Sequence, residues 1–146
     1  MRSPRALSLL VLCACLLVGA EGFATAGDGF VVVVNRSNPA SSLTATEFRR
    51  TVLGGAKQWG NGAGVQLGII PKDAPETRYL ASLLGMSVPD LFARIQAQVF
   101  SGEMRRPVVL RSSAECVAFA RASEGAVCIA EERLPFPPEV KLVSIH

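Results

Sequence analysis

Three short stretches of this chain place serine, threonine and arginine where a helix is about to begin. Residues 35–42 carry Asn35, Arg36, Ser37, Ser41 and Ser42. Residues 72–78 carry Lys72, Thr77 and Arg78, and residues 111–113 are Arg111, Ser112 and Ser113. Helix starts present unpaired N–H groups and the positive end of the helix dipole, and both attract anions. Hydroxyl and guanidinium groups add short, charge-assisted bonds to oxyanions. The chemistry these residue types suit is the binding of a small oxyanion. The same serines and Thr77 also serve as ordinary caps and turn formers, and the residues alone leave both uses open.

Little in the sequence supports catalysis. The one histidine, His146, is the last residue. A Ser-His-Asp or Cys-His set would need the tail to fold back into a site. Carboxylates do not cluster at ligand spacing, so no metal is expected, and Glu131-Glu132 reads as a solvated loop. Gly60-Asn61-Gly62-Ala63-Gly64 does not run into a helix start, and no Walker pattern is present, so no nucleotide cofactor is expected. The pairs Arg49-Arg50 and Arg105-Arg106 lack interleaved aromatics and the net charge is only +3, which argues against a nucleic-acid surface. The expectation is a protein without enzymatic activity. A hydrolase would require His146 or Cys116 to be poised in a pocket.

The elements that must position the three loops alternate between strand and helix. Residues 30–34 are a Val-rich run, apolar on both faces, as in a central strand covered on each side. Thr44 and Glu47 form a capping box, with Leu43 and Phe48 as its hydrophobic staple, and Gly54-Gly55 ends that helix. Residues 65–70 form a second strand. Asp73-Ala74-Pro75-Glu76 opens a second helix by the same logic, and Ser87 with Asp90 opens a third. Residues 108–110 are a short strand, Ser112 and Glu115 open a fourth helix, and strands follow at 126–130 and 140–145. This order predicts an α/β fold, a mostly parallel open sheet flanked by helices in one domain.

The N-terminus carries an export signature. Arg2 and Arg5 precede a charge-free run over 6–18, and Ala24-Thr25-Ala26 fits a signal-peptidase site, with Ala20 as a second. The run is about 13 residues, short of the roughly 20 that span a bilayer, so no stable membrane insertion is expected after cleavage. Leu12-Cys13-Ala14-Cys15 partly matches a bacterial lipobox, but the apolar run continues through Leu16, Leu17 and Val18. Residues 1–26 are therefore read as a signal peptide and 27–146 as the domain, periplasmic or secreted. An oxidising compartment permits a disulfide between Cys116 and Cys128; two buried thiols are the alternative.

Several segments resemble a known family. Val31-Val32-Val33-Val34-Asn35, then residues 43–55 from Leu43-Thr44 to Gly54-Gly55, then Trp59, are similar to phosphate-type periplasmic solute-binding proteins of ABC transporters. Phe100-Ser101-Gly102 and Gly125-Ala126-Val127-Cys128-Ile129 resemble that family's later Phe-x-Gly and Gly-Ala-Ile-Gly-Tyr segments. The resemblance implies one lobe of a type 2 periplasmic-binding-protein fold and a small oxyanion ligand. The family's Ser-Gly-Thr phosphate motif is replaced here by residues 72–78, where only Lys72 and Thr77 carry over and Asp73 and Glu76 add negative charge. Those acids favour an alternative: a ligand-free domain that keeps the fold for docking to an envelope protein.

Overall fold

The computed structural model describes residues 29–146. The signal-peptide segment 1–26, its cleavage sites and the lipobox-like stretch lie outside the described residues. In chain order the elements are β1 (Phe30–Asn35), β2 (Ser42–Leu43), α1 (Ala45–Val52), β3 (Gln66–Ile69), α2 (Pro75–Leu83), α3 (Val88–Phe100), β4 (Val108–Val109), α4 (Ser113–Ala122), β5 (Ala126–Glu131) and β6 (Val140–Ile145).

The six strands form one sheet in the order β2-β6-β1-β5-β3-β4. Three pairings are parallel, β2 with β6, β3 with β4 and β3 with β5. The sheet is mixed and mostly parallel, as the alternation of elements predicts. β1 is the exception, antiparallel to both β5 and β6. β2, absent from the sequence reading, is two residues long and adds Ser42 and Leu43 beside Ser144 and Ile145.

Side-chain alternation along β1 feeds two cores. Val32 and Val34 join Phe48, Val52, Leu80, Leu84 and Leu91 on the face covered by α1, α2 and α3. Val33 joins Cys116, Ala120, Cys128 and Ala130 on the face covered by α4. A strand apolar on both sides is what a sheet sandwiched between helices requires.

Local chemistry sets the helix starts. Thr44 caps α1 in a full capping box with Glu47, Ser87 caps α3 by accepting from Asp90 N, and Ser112 caps α4 by accepting from Glu115 N. The start of α2 corrects the sequence reading. Pro75 takes the first helical position, so the cap falls on Ala74, which has no side-chain bond to offer. Asp73 instead pairs with Arg78 at 2.9 Å.

The Gly-rich turn after α1 is tied to the sheet at one point of close approach. Trp59 Nε1 donates to Gly125 O at 3.0 Å. A Cβ on Gly125 would stand 1.7 Å from Gly64 O, so only glycine fits there.

Candidate functional site

Strand direction divides the three predicted loops. β3 and β4 are parallel to each other, so residues 72–78 and 111–113 leave the sheet at the same edge. β5 is parallel to β3 and also ends there. β1 runs the opposite way, so Asn35, Arg36 and Ser37 open at the other edge, and the loop then crosses back to pair Ser42 with Ser144 near the end of β6, at the same edge as the other two loops. Asn35, Arg36 and Ser37 therefore lie apart from the other two loops, while Ser41 and Ser42 share their edge but stand at β2, three strands from β5. α4 shows the separation. Asn35 Nδ2 donates to Ala120 O at 2.8 Å and Arg121 O at 3.2 Å, at the helix's C-terminal end. Ser113 is at its start, seven to eight residues and so about 11 Å away along the helix.

The first group behaves as turn and edge-strand chemistry. Ser37 donates through both N and Oγ to Asn35 Oδ1, at 2.9 and 2.8 Å. Arg36 bonds the 138–139 turn, with its side chain donating to Pro138 O at 3.1 Å. Ser41 Oγ accepts from Lys141 Nζ at 3.5 Å, and Ser42 Oγ lies 3.2 Å from His146 Nδ1. The tail does fold back to a serine, but onto the exposed β2–β6 edge of the sheet.

The second and third groups meet. Ser113 Oγ donates to Glu76 Oε2 and accepts from Glu131 N at 2.9 Å, linking the first turn of α2, the start of α4 and the end of β5. Glu76 therefore brings a carboxylate to the positive ends of two helices at once. Around it, Thr77 is 1% exposed and donates to Ile70 O at 2.7 Å. Arg78 donates to Asp73 O and Oδ1. Ser112 caps Glu115 N at 3.2 Å, and Glu115 in turn accepts from Arg111 N at 2.9 Å. The side chains of Lys72 and Arg111 extend from the same two loops into solvent. The space left beneath Glu76 and Thr77 is about 10 Å³, room for one water at most.

At this edge the Glu76 carboxylate of α2 is bonded by the Ser113 hydroxyl at the start of α4. The sequence reading counted Glu76 as a charge against anions. It missed that Glu76, in the first turn of α2, accepts a bond from Ser113 at the start of α4. An acid in the first turn of a helix was the available signal, but its partner Ser113 lies 37 residues away.

Cys116 and Cys128 form a disulfide that joins α4 to β5, with Cα atoms 5.8 Å apart. Cys116 is therefore no free nucleophile. Among the described residues no group of His, Cys, Asp and Glu could hold a metal ion, and no helix is long and apolar enough to cross a membrane.

No family model matches the sequence, and a search of curated proteins finds no match. Solved structures do match in fold. An ABC-type phosphate transport receptor from Vibrio cholerae superposes with a TM-score of 0.60 at 18% identity, over 80% of this chain and 46% of the receptor. A putative phosphate ABC transporter substrate-binding protein from Clostridium perfringens, with bound phosphate, gives 0.59 at 15% identity, over 80% of this chain and 44% of that one. A possible phosphate binding protein from Planctomyces limnophilus gives 0.56 at 15% identity, over 81% and 41%. The chain spans less than half the length of each, and its fold is that of one lobe of a phosphate-binding-protein-like structure.

Proposed function

We propose that this chain is an exported, non-catalytic solute-binding module that takes a small oxyanion, of the phosphate or sulfate class, where α2 and α4 begin. The observation that carries the reading is the Glu76 carboxylate bonded by Ser113 across the two helix starts. An edge that already holds one oxyanion group has the polarity to hold another. Lys72 and Arg111 stand exposed on the same two loops, available to an incoming anion. Glu76 acts as a placeholder on the Ser113 hydroxyl that the solute displaces. The fold shared with phosphate receptors supports the same ligand class.

Displacement makes binding weak, because the solute must replace the Ser113 bond and tolerate a nearby negative charge. Glu76→Gln removes that charge and keeps the shape. Two unit charges about 4 Å apart interact by roughly 4 kcal/mol at an effective dielectric of 20. Recovery of even a third of this tightens binding about tenfold. The test is calorimetric titration of residues 27–146, wild type and Glu76→Gln, with phosphate and sulfate in an anion-free buffer. Saturable heat that strengthens in the variant supports the reading, and no heat from either protein refutes it.

The same Glu76–Ser113 bond also favours a second reading, an interaction domain that has closed its anion edge and docks to an envelope protein. Thr77 and Arg78 are likewise committed to internal partners. On this reading neither protein binds phosphate or sulfate.

A further inference from the structure

A cavity of about 220 Å³ opens at the amino edge of β3, opposite the α2–α4 edge. Its walls are the end of α1 with residues 54–57, the start of β3, and the turn at 102–105. Val52 and Leu67, 1% and 2% exposed, contribute an apolar floor together with Val65 and Met104. Two cations flank it, Lys57 and Arg105.

We propose that this cavity binds a small organic carboxylate, its apolar body on the floor and its carboxylate between Lys57 and Arg105. Each cation has one hydrogen bond to a neighbouring group. Lys57 Nζ reaches Gly102 O at 3.4 Å, and Arg105 donates to Gln66 Oε1 at 3.4 Å. The Arg105 guanidinium also lies 3.4 to 3.5 Å from where a Cβ on Gly64 would stand. Those bonds are long, and neither cation is in any of the three ion pairs among the described residues. Each keeps donors for a ligand, and a guanidinium can take a carboxylate through two parallel bonds. Glu103 is the one acid of the lining, so the lining carries a net charge of +1 from Lys57 and Arg105 against Glu103.

Size and polarity narrow the ligand further. The volume equals about seven waters at roughly 30 Å³ each. It falls below the ~300 Å³ at which drug-sized pockets begin. An inorganic oxyanion would leave the floor bare, and an uncharged hydrocarbon would leave the cations bare. The backbone holds the cavity open before any ligand arrives. Gly54 has φ +92°, and a Cβ there would stand 2.7 Å from Glu103 O. Gln98 Nε2 donates to Leu53 O at 2.6 Å and fastens α3 to the end of α1. This site is independent of the oxyanion edge.

The test follows backbone amides by NMR in residues 27–146 during titration with sodium benzoate, benzyl alcohol and inorganic phosphate. The expected result is saturable benzoate shifts at Gly54, Lys57, Val65 and Arg105, with a Kd on the order of 1 mM for so small a ligand. The Lys57→Ala/Arg105→Ala variant, altered only at exposed side chains, weakens benzoate at least about tenfold. Ala56→Phe, which fills the cavity mouth, abolishes the shifts. Benzyl alcohol binding as tightly as benzoate would overturn the proposal. So would undiminished benzoate affinity in the double variant, or shifts confined to residues 72–77 and 112–113. Phosphate shifts at that second edge bear only on the oxyanion reading, so the two proposals fail separately.

Discussion

Breaking the Cys116–Cys128 crosslink isolates one term of the stability of this domain. The bond closes a loop with a sequence separation of 12. In the chain-entropy account, a loop of that size restricts the unfolded chain by about 9.5 cal/mol/K, or about 3 kcal/mol at room temperature. Reduction removes no heavy atom from either buried residue, so it opens no cavity of the kind a truncation would. The loss then falls chiefly on the unfolded state. A small domain is stable by only about 5–15 kcal/mol, so the effect is a large fraction of the total. The assay is urea unfolding of oxidised and reduced protein, followed by the fluorescence of Trp59, the only tryptophan. The expected outcome is a midpoint shift equivalent to about 3 kcal/mol, and the Cys116→Ala/Cys128→Ala variant should lose at least as much. A shift under about 1 kcal/mol would refute the reasoning. Two free thiols titrating in the unreduced, unfolded protein would refute it more directly.

Other expectations follow from single contacts. Gly125→Ala drives a Cβ into Gly64 O and separates Trp59 from its carbonyl partner, so a loss of about 3 kcal/mol or more should accompany red-shifted Trp59 emission; unchanged emission would contradict the contact. Phe48→Ala should cost about 3–5 kcal/mol because the ring is wholly buried, whereas Phe100→Ser, at a side chain 93% exposed, should stay within about 0.5 kcal/mol in the same urea melts. The Glu47 carboxyl is held below its ordinary 4.5, first by the Thr44 backbone N–H and then by the Thr44 side chain. Because the folded pKa is depressed, its contribution to stability is present above the unfolded value and fades as pH falls through the folded one. A carbon-detected NMR titration should place Glu47 below 4.5 and find it moving upward in Thr44→Ala; a midpoint at or above 4.5 in the wild type would contradict this.

Legibility followed the range of the interaction. Thr44 with Glu47, Ser87 with Asp90 and Ser112 with Glu115 each act across three residues, and each helix start they mark is where the sequence places it. The Val-rich run of β1 announced a strand buried on both faces for the same reason, since the pattern lies within one element. The direction of β1 was not legible. It depends on pairing with β5 and β6, which lie some hundred residues later, and an alternating order of elements does not encode it. That one direction moved Asn35, Arg36 and Ser37 to the far edge, and the strand order, with β2 outermost, set Ser41 and Ser42 apart from the other two loops. β2 escaped because two residues cannot display a period. Ser113 could be read as part of a helix start but not as the partner of Glu76, because the contact bridges two helices. Lys57 and Arg105 lie in segments whose meeting depends on how α1 and α3 pack.

α4 is fastened along its whole length. Its first residue bonds Glu76 and Glu131, its middle is locked to β5 by the disulfide, and its last carbonyls are gripped by Asn35. A helix pinned at three points is a strut, and this one runs from one edge of the sheet to the other. Sliding or tilting it would have to break contacts at both ends as well as strain the bond to β5. On the opposite face the ties are hydrogen bonds alone, Gln98 to Leu53 and Arg49 to Leu84, and α3 ends in a solvent-facing phenylalanine.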